Sequence, residues 1–217
     1  MNPVYYIGWS IFRVMYAVYF RWRVFNPERV PLKGGVILAS NHASFLDPPI
    51  IGCGVHRPMN YLARASLFRY PGIGWLLRKW NSVPVERDGG GAAGLKAILD
   101  RLLQGGAIIL FPEGTRTKDG KLQPARSGIG LTVIKSDAVV IPVRTFGTFE
   151  CYNRKWKFHM PTRLAVKYGR PMRFEKLRAE AKTCDKARLK KIYQEVADEI
   201  MAEIAKMEPK GDAVAGS

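Results

Sequence analysis

From Val36 onward, short uninterrupted apolar runs alternate with stretches whose apolar residues recur every three or four positions. The runs Val36–Ala39, Tyr61–Ala63, Val83–Val85, Ala107–Phe111, Val139–Val143 and Leu164–Lys167 predict buried strands, since a strand covered on both faces needs no polar side. Gly72–Trp80 predicts a short helix between them. Leu95, Ile98, Leu99 and Leu102 predict a helix over Ala92–Gln104, stopped by Gly105-Gly106. Leu189, Ile192, Tyr193, Val196, Ile200 and Ile204 predict a long amphipathic C-terminal helix with Asp185 as its N-cap. Strands alternating with helices predict an α/β fold, a mostly parallel central sheet flanked by helices, over residues 28–208. The small, polar residues 209–217 are expected to be a disordered tail. There is no internal repeat, low-complexity block or interdomain linker.

Ahead of that domain the pattern is different. Pro3–Phe20 reads PVYYIGWSIFRVMYAVYF, with Arg13 as its single charge. It lacks the basic start and small-residue cleavage site of a secretory signal. It is short for a spanning helix, and Arg13 near its middle would cost a few kcal/mol in hydrocarbon. Tyrosine and tryptophan favour the headgroup layer, and the basic residues behind them favour anionic lipid. The expectation is an aromatic and basic helical segment within residues 1–27, a helix over 3–25 lying in one leaflet. Its membrane contacts would be Tyr5, Tyr6, Trp9, Arg13, Arg21, Trp22 and Arg23. The plainer alternative is an ordinary helix packed on the domain.

Charge adds a class of partner. Thirty-five Lys and Arg against 18 Asp and Glu leave a net +17, a field that attracts polyanions, whether anionic lipid, nucleic acid or an acidic carrier protein. Cys53, Cys151 and Cys184 are odd in number and far apart, which gives neither a disulfide framework nor metal-ligand spacing.

The candidate chemistry lies just after two of the expected strands, where ligands bind in open α/β sheets. Asn41-His42-Ala43-Ser44-Phe45-Leu46-Asp47-Pro48-Pro49 follows the first. Histidine is suited to take a proton near neutral pH, and a neighbouring carboxylate can fix its tautomer. Five residues of separation would turn Asp47 away from His42 on a straight helix. The two meet only if the segment is partly loop, with Asp47 as cap and Pro48 opening a helix. Phe111-Pro112-Glu113-Gly114-Thr115-Arg116 follows a second strand. Gly114 allows close backbone approach, and its N–H is a candidate oxyanion donor. Arg116 can grip a phosphate with two donors, while Glu113 can orient Arg116 or the loop and Thr115 adds a hydroxyl.

Together these segments resemble the glycerolipid acyltransferase family, and within it the 1-acylglycerol-3-phosphate acyltransferases. The resemblance also takes in Val83-Pro84-Val85-Glu86-Arg87, and Val140-Ile141-Pro142-Val143 with Gly147-Thr148 beyond, so that it spans roughly half the chain, Val36 to Thr148. It implies that His42 deprotonates the acceptor hydroxyl, that Asp47 orients His42, and that the hydroxyl attacks the thioester directly. Backbone N–H groups around Gly114 would stabilise the oxyanion, and Arg64, Arg87, Glu113, Thr115 and Arg116 would form the acceptor-phosphate site. Relatives commonly carry lysine and, two residues on, glutamate where this chain has Arg64 and Ser66. The implied partners are membrane phospholipid, lysophosphatidic acid, and acyl-CoA or an acidic acyl carrier protein as co-substrate, with no metal or other cofactor and no nucleic acid. The implied location is the cytoplasmic face of a membrane, as a monotopic protein. Another lysolipid or an amino-acid-headed lipid is an alternative acceptor. A lipid hydrolase and a basic nucleic-acid-binding module, the latter suggested by Arg154, Lys155, Trp156, Lys157 and His159, are rival classes.

Overall fold

The computed structural model describes residues 3–85, 92–152 and 163–210. Its strands are β1 (Arg23–Phe25), β2 (Val36–Ser40), β3 (Met59–Arg64), β4 (Ser82–Val85), β5 (Ala107–Leu110), β6 (Val139–Phe146) and β7 (Ala165–Tyr168). Its helices are α1 (Pro3–Phe20), α2 (Asp47–Cys53), α3 (Pro71–Lys79), α4 (Ala92–Leu103), α5 (Ser127–Ile134), α6 (Thr148–Cys151), α7 (Glu175–Glu180) and α8 (Lys186–Lys206). The seven strands form one sheet in the order β1-β7-β6-β2-β5-β3-β4. Every pairing is parallel except β6 with β7. The expected mostly parallel α/β architecture is the one found.

Helices on both faces explain why β2 is apolar at nearly every position. Val36 and Leu38 point to one side, where Ile50, Ile51, Tyr16 and Phe20 of α1 and α2 cover them. Ile37 and Ala39 point to the other, against Ile129, Val133, Ile192, Val196 and Ile200 of α5 and α8. Burying each such aliphatic side chain contributes roughly 1.5–3 kcal/mol. The second layer depends on close approach of α5 to α8. A Cβ on Gly130 would collide with the carbonyl of Tyr193. Asp185 caps α8 as expected, accepting the Arg188 N–H at 2.7 Å.

The N-terminal segment departs from expectation in two ways. The helix stops at Phe20, not near residue 25, because Arg21 adopts a left-handed conformation with φ 44°. Residues 23–25 then form β1, paired with β7 in the main sheet. The orientation of α1 also differs. Tyr5 is buried and accepts the Met59 N–H, while Trp9 donates to the Gly52 carbonyl and Arg13 to that of Cys53. Trp22 packs 5.7 Å from the Tyr16 ring. These four expected membrane contacts face the domain instead: Trp9 and Arg13 reach carbonyls at the end of α2, Tyr5 meets an N–H of β3, and Trp22 packs on Tyr16. Tyr6 is half-buried, and Arg21 and Arg23 are exposed. The outward stripe of α1 is Ile7, Ile11, Val14, Val18 and Tyr19, each more than half exposed. No helix among the described residues is long and apolar enough to cross a membrane.

The sheet is split at one place. β2 follows β5 as far as Ala39 and Leu110. β3 pairs with β5 only at Met59 and Asn60, then continues beside β4 to Arg64. The carboxyl halves of β3 and β5 therefore separate, and the crevice between them is where the candidate chemistry sits.

Candidate active site

β2 ends at Ser40, and the chain crosses the carboxyl edge of the sheet as a loop before α2 begins at Asp47. Pro48 in the first turn of α2 has no N–H to lose there. Asp47 does not cap α2 as expected. Its carboxylate turns back over the loop, where Oδ2 accepts from Ala43 N–H at 2.6 Å and Ser44 N–H at 2.7 Å, and lies 3.0 Å from His42 Nδ1. Oδ1 lies 3.0 Å from the Thr145 hydroxyl. Asp47 is fully buried, whereas the His42 side chain retains 18% exposure. In the tautomer that carries its proton on Nδ1, the imidazole donates to this buried carboxyl group and leaves Nε2 as the basic nitrogen.

Two further devices hold the imidazole. Its ring stacks on Phe111 at 3.8 Å, nearly parallel, at the end of β5. Its backbone N–H donates to Glu113 Oε1 at 2.9 Å, and its carbonyl accepts from Thr117 N–H at 2.8 Å. The other oxygen of Glu113 accepts from Gln123 N–H at 3.2 Å. Glu113 is 2% exposed, and burial pushes its carboxyl up to about 7 despite the two N–H donors. Both carboxyl oxygens are thus engaged by backbone N–H groups. Glu113 is a strut joining the loops after β2 and β5.

Gly114 also differs. It has φ 69°, the left-handed region that suits glycine, but its N–H is already given to the Phe111 carbonyl at 3.0 Å. The amide expected to face an oxyanion closes a turn. What Gly114 provides is room, since a Cβ there would lie 2.9 Å from Cδ of Arg126. Arg116 sits with its guanidinium over the Phe45 ring, 3.5 Å from the centroid. Arg64 ends β3 on the same edge and is exposed, as is Thr115. Arg87 and the cluster Arg154–His159 lie outside the described residues, as do residues 211–217 of the expected tail.

Two cavities meet at the split. One, of about 280 Å³, lies among α1, α2 and α3, and is lined by Gly8, Trp9, Phe12, Phe45, Leu77 and Trp80 among others. The second, of about 530 Å³, holds His42, Phe111, Gly114 and Arg126 and runs between α4 and α5. Pro48, Tyr61 and Leu62 border both. The site therefore joins an apolar slot to a roomier cavity bearing a base and a cation.

Sequence reasoning missed three contributors. Thr145 and Asn41 form a buried network, in which Asn41 Oδ1 accepts from Thr145 N–H at 2.9 Å and its amide donates to the Thr145 carbonyl. Their polarity inside or beside apolar strands was the one signal that pointed to them. Arg126 was the third, a basic residue at the start of an apolar stretch that carried no motif of its own.

A family model described as Acyltransferase matches residues 21–145. The 1-acyl-sn-glycerol-3-phosphate acyltransferase of Bacillus subtilis is 32% identical over 98 residues, 45% of this chain and 49% of that one. The lyso-ornithine lipid O-acyltransferase of Pseudomonas aeruginosa is 26% identical, over 62% of this chain and 51% of that one. The chain thus spans about half the length of these curated relatives. The crystal structure of the 1-acyl-sn-glycerophosphate acyltransferase of Thermotoga maritima superposes with a TM-score of 0.65 at 27% identity, covering 87% of this chain and 74% of that one. With His42, Asp47, Glu113 and Arg116 all inside the matched segment, the chain belongs to the acyltransferase family.

Proposed function

We propose that the chain transfers a fatty acyl group from a thioester, on coenzyme A or an acyl carrier protein, to the sn-2 hydroxyl of 1-acylglycerol-3-phosphate, giving phosphatidic acid for phospholipid synthesis. The observation that carries this reading is the 3.0 Å contact of His42 Nδ1 with buried Asp47 at the mouth of the split sheet. Nε2 of His42 removes the hydroxyl proton as the oxygen attacks the thioester carbonyl. The tetrahedral intermediate collapses with cleavage of the C–S bond, and the proton on Nε2 passes to the departing thiolate. No side chain becomes acylated.

The two cavities fit two substrates. Arg116 lies over Phe45, which lines the apolar slot. The acceptor's phosphate would meet Arg116, with Arg64 and Arg87, while its acyl chain lies in that slot. The donor would occupy the larger cavity, where Arg126 faces the charge developing on the carbonyl oxygen. The net +17 is then assigned to anionic lipid and donor, not to nucleic acid. The outward apolar stripe of α1, not its aromatic side, would seat the protein on one leaflet.

The test crosses acyl-CoA and acyl carrier protein donors with lysophosphatidic acid and lyso-ornithine lipid, and reads products by mass spectrometry. Phosphatidic acid is expected from the wild type. His42→Ala is expected to lose about 10²–10⁴-fold in turnover with an unchanged melting temperature, and wild-type rates in that variant would refute the mechanism. Free fatty acid alone would make the protein a hydrolase. Acylation of lyso-ornithine lipid alone would move the acceptor to an amino-acid-headed lipid. The Pseudomonas relative's name and the Arg64 and Ser66 pair favour including that arm.

A further inference from the structure

Helix α3 has the wrong surface for a helix in water. Of its residues PGIGWLLRK, the polar ones are Arg78 and Lys79 at its end. Gly74 is buried and Leu77 is half-buried, which covers its inner side. Its outer side shows Ile73 at 49%, Trp75 at 52% and Leu76 at 37%, and the turn that leads into it shows Leu67 at 38% and Tyr70 at 60%. Contiguous exposed apolar surface of this kind marks a binding face.

Its surroundings suit one occupant. From Met59 to Val85 the chain contains Arg64, Arg69, Arg78 and Lys79 and no acidic residue. Arg78 holds its guanidinium over the Phe68 ring, so it stays at the edge of the apolar face. An apolar face rimmed by cations, with tryptophan and tyrosine at its border, matches the chemistry of an anionic leaflet. The face is also continuous with α1. Trp80, directly after α3, meets Phe12 edge-on at 5.4 Å and lies against Gly8. The apolar slot is walled by α1 on one side and by Leu77 and Trp80 on the other.

We propose that α3 and the turn before it form a second contact with an anionic bilayer, so that the slot lies between two membrane-seated helices and receives acyl chain from the leaflet itself. This rests on the reading that α1 lies in a leaflet. One helix alone leaves the protein free to roll about its axis. A second, linked to it through Trp80 and Phe12, fixes the face presented to lipid.

The test uses the full chain and vesicles of phosphatidylcholine with and without phosphatidylglycerol, in three variants. Ile73→Glu with Trp75→Glu should lower partitioning onto anionic vesicles about tenfold without changing the melting temperature, since both side chains are exposed. Ile11→Glu with Val18→Glu tests α1 by the same readout. Trp75→Phe should bind normally and lose a large share of the tryptophan fluorescence that brominated lipid quenches in the wild type. Undiminished binding of the α3 pair together with unchanged quenching in Trp75→Phe overturns the proposal. If the α1 pair is released in that same experiment, the reading of α1 stands; if it too remains bound, both fail.

Discussion

At the scale of single residues, the site is a set of backbone and side-chain donors gathered on two carboxylates. Asp47 collects Ala43, Ser44, His42 and Thr145, and Glu113 collects His42 and Gln123. Thr145→Val removes one donor from Asp47 and leaves three. A hydrogen bond to a charged group contributes roughly 1.5–3 kcal/mol to stability, so the expected result is a lower melting temperature together with a fall in kcat, with KM nearly unchanged. Steady-state kinetics on lysophosphatidic acid checks this. Glu113 gives a pH prediction. Its folded carboxyl sits at about 7 against an ordinary 4.5, so between those values the folded state holds more protons than the unfolded one. Stability therefore falls as pH rises from about 4.5 to about 7, by up to about 3 kcal/mol, and is flat above. Glu113→Gln should remove that slope in melting curves recorded across the window. The sequence showed which residues to place here, because histidine, aspartate, glutamate and arginine after strands are few. Beyond the His42 and Asp47 pair, it did not show their partners. Whether Glu113 meets an arginine or an amide, and whether the Gly114 N–H is spent, depends on how two loops 71 residues apart in the chain close on one another.

At the scale of elements, the strands were legible where they are buried on both sides, since a short uninterrupted apolar run must be covered on both faces to stay out of water. β1 was not, because Arg23-Val24-Phe25 is too short to show any period and forms only through the free edge of β7. α5 was obscured for the opposite reason. SGIGLTVI carries glycines and β-branched residues that suit a strand, yet tertiary packing makes it helical. Its glycines serve that packing. Gly130→Ala would drive a methyl into the Tyr193 carbonyl, and separating α5 from α8 is expected to cost roughly 1–3 kcal/mol, readable by chemical denaturation. The orientation of α1 was hidden because tyrosine, tryptophan and arginine suit both a headgroup layer and a wall of carbonyls. In the structure Trp9 and Arg13 reach carbonyls of α2, Tyr5 and Trp22 also face the domain, and Ile7, Ile11, Val14, Val18 and Tyr19 lie outside.

At the scale of the whole molecule, the +17 charge and the outward apolar stripes act at different ranges. If the protein docks on an anionic leaflet as proposed, charge would draw it in over about 8–10 Å at physiological salt, while apolar contact would act only on arrival. Stopped-flow mixing with anionic vesicles should therefore show an association rate that drops steeply with added salt and a dissociation rate that changes much less. One connection carries a further meaning. Arg21 and Trp22 alone separate α1 from β1, and β1 belongs to the same sheet that presents His42. If α1 seats the protein on a leaflet as proposed, this short connection would hold the imidazole at a set height over the lipid plane. The fold would then work as a depth gauge, in which the hydroxyl of the proposed acceptor becomes reactive by the level at which its lipid floats.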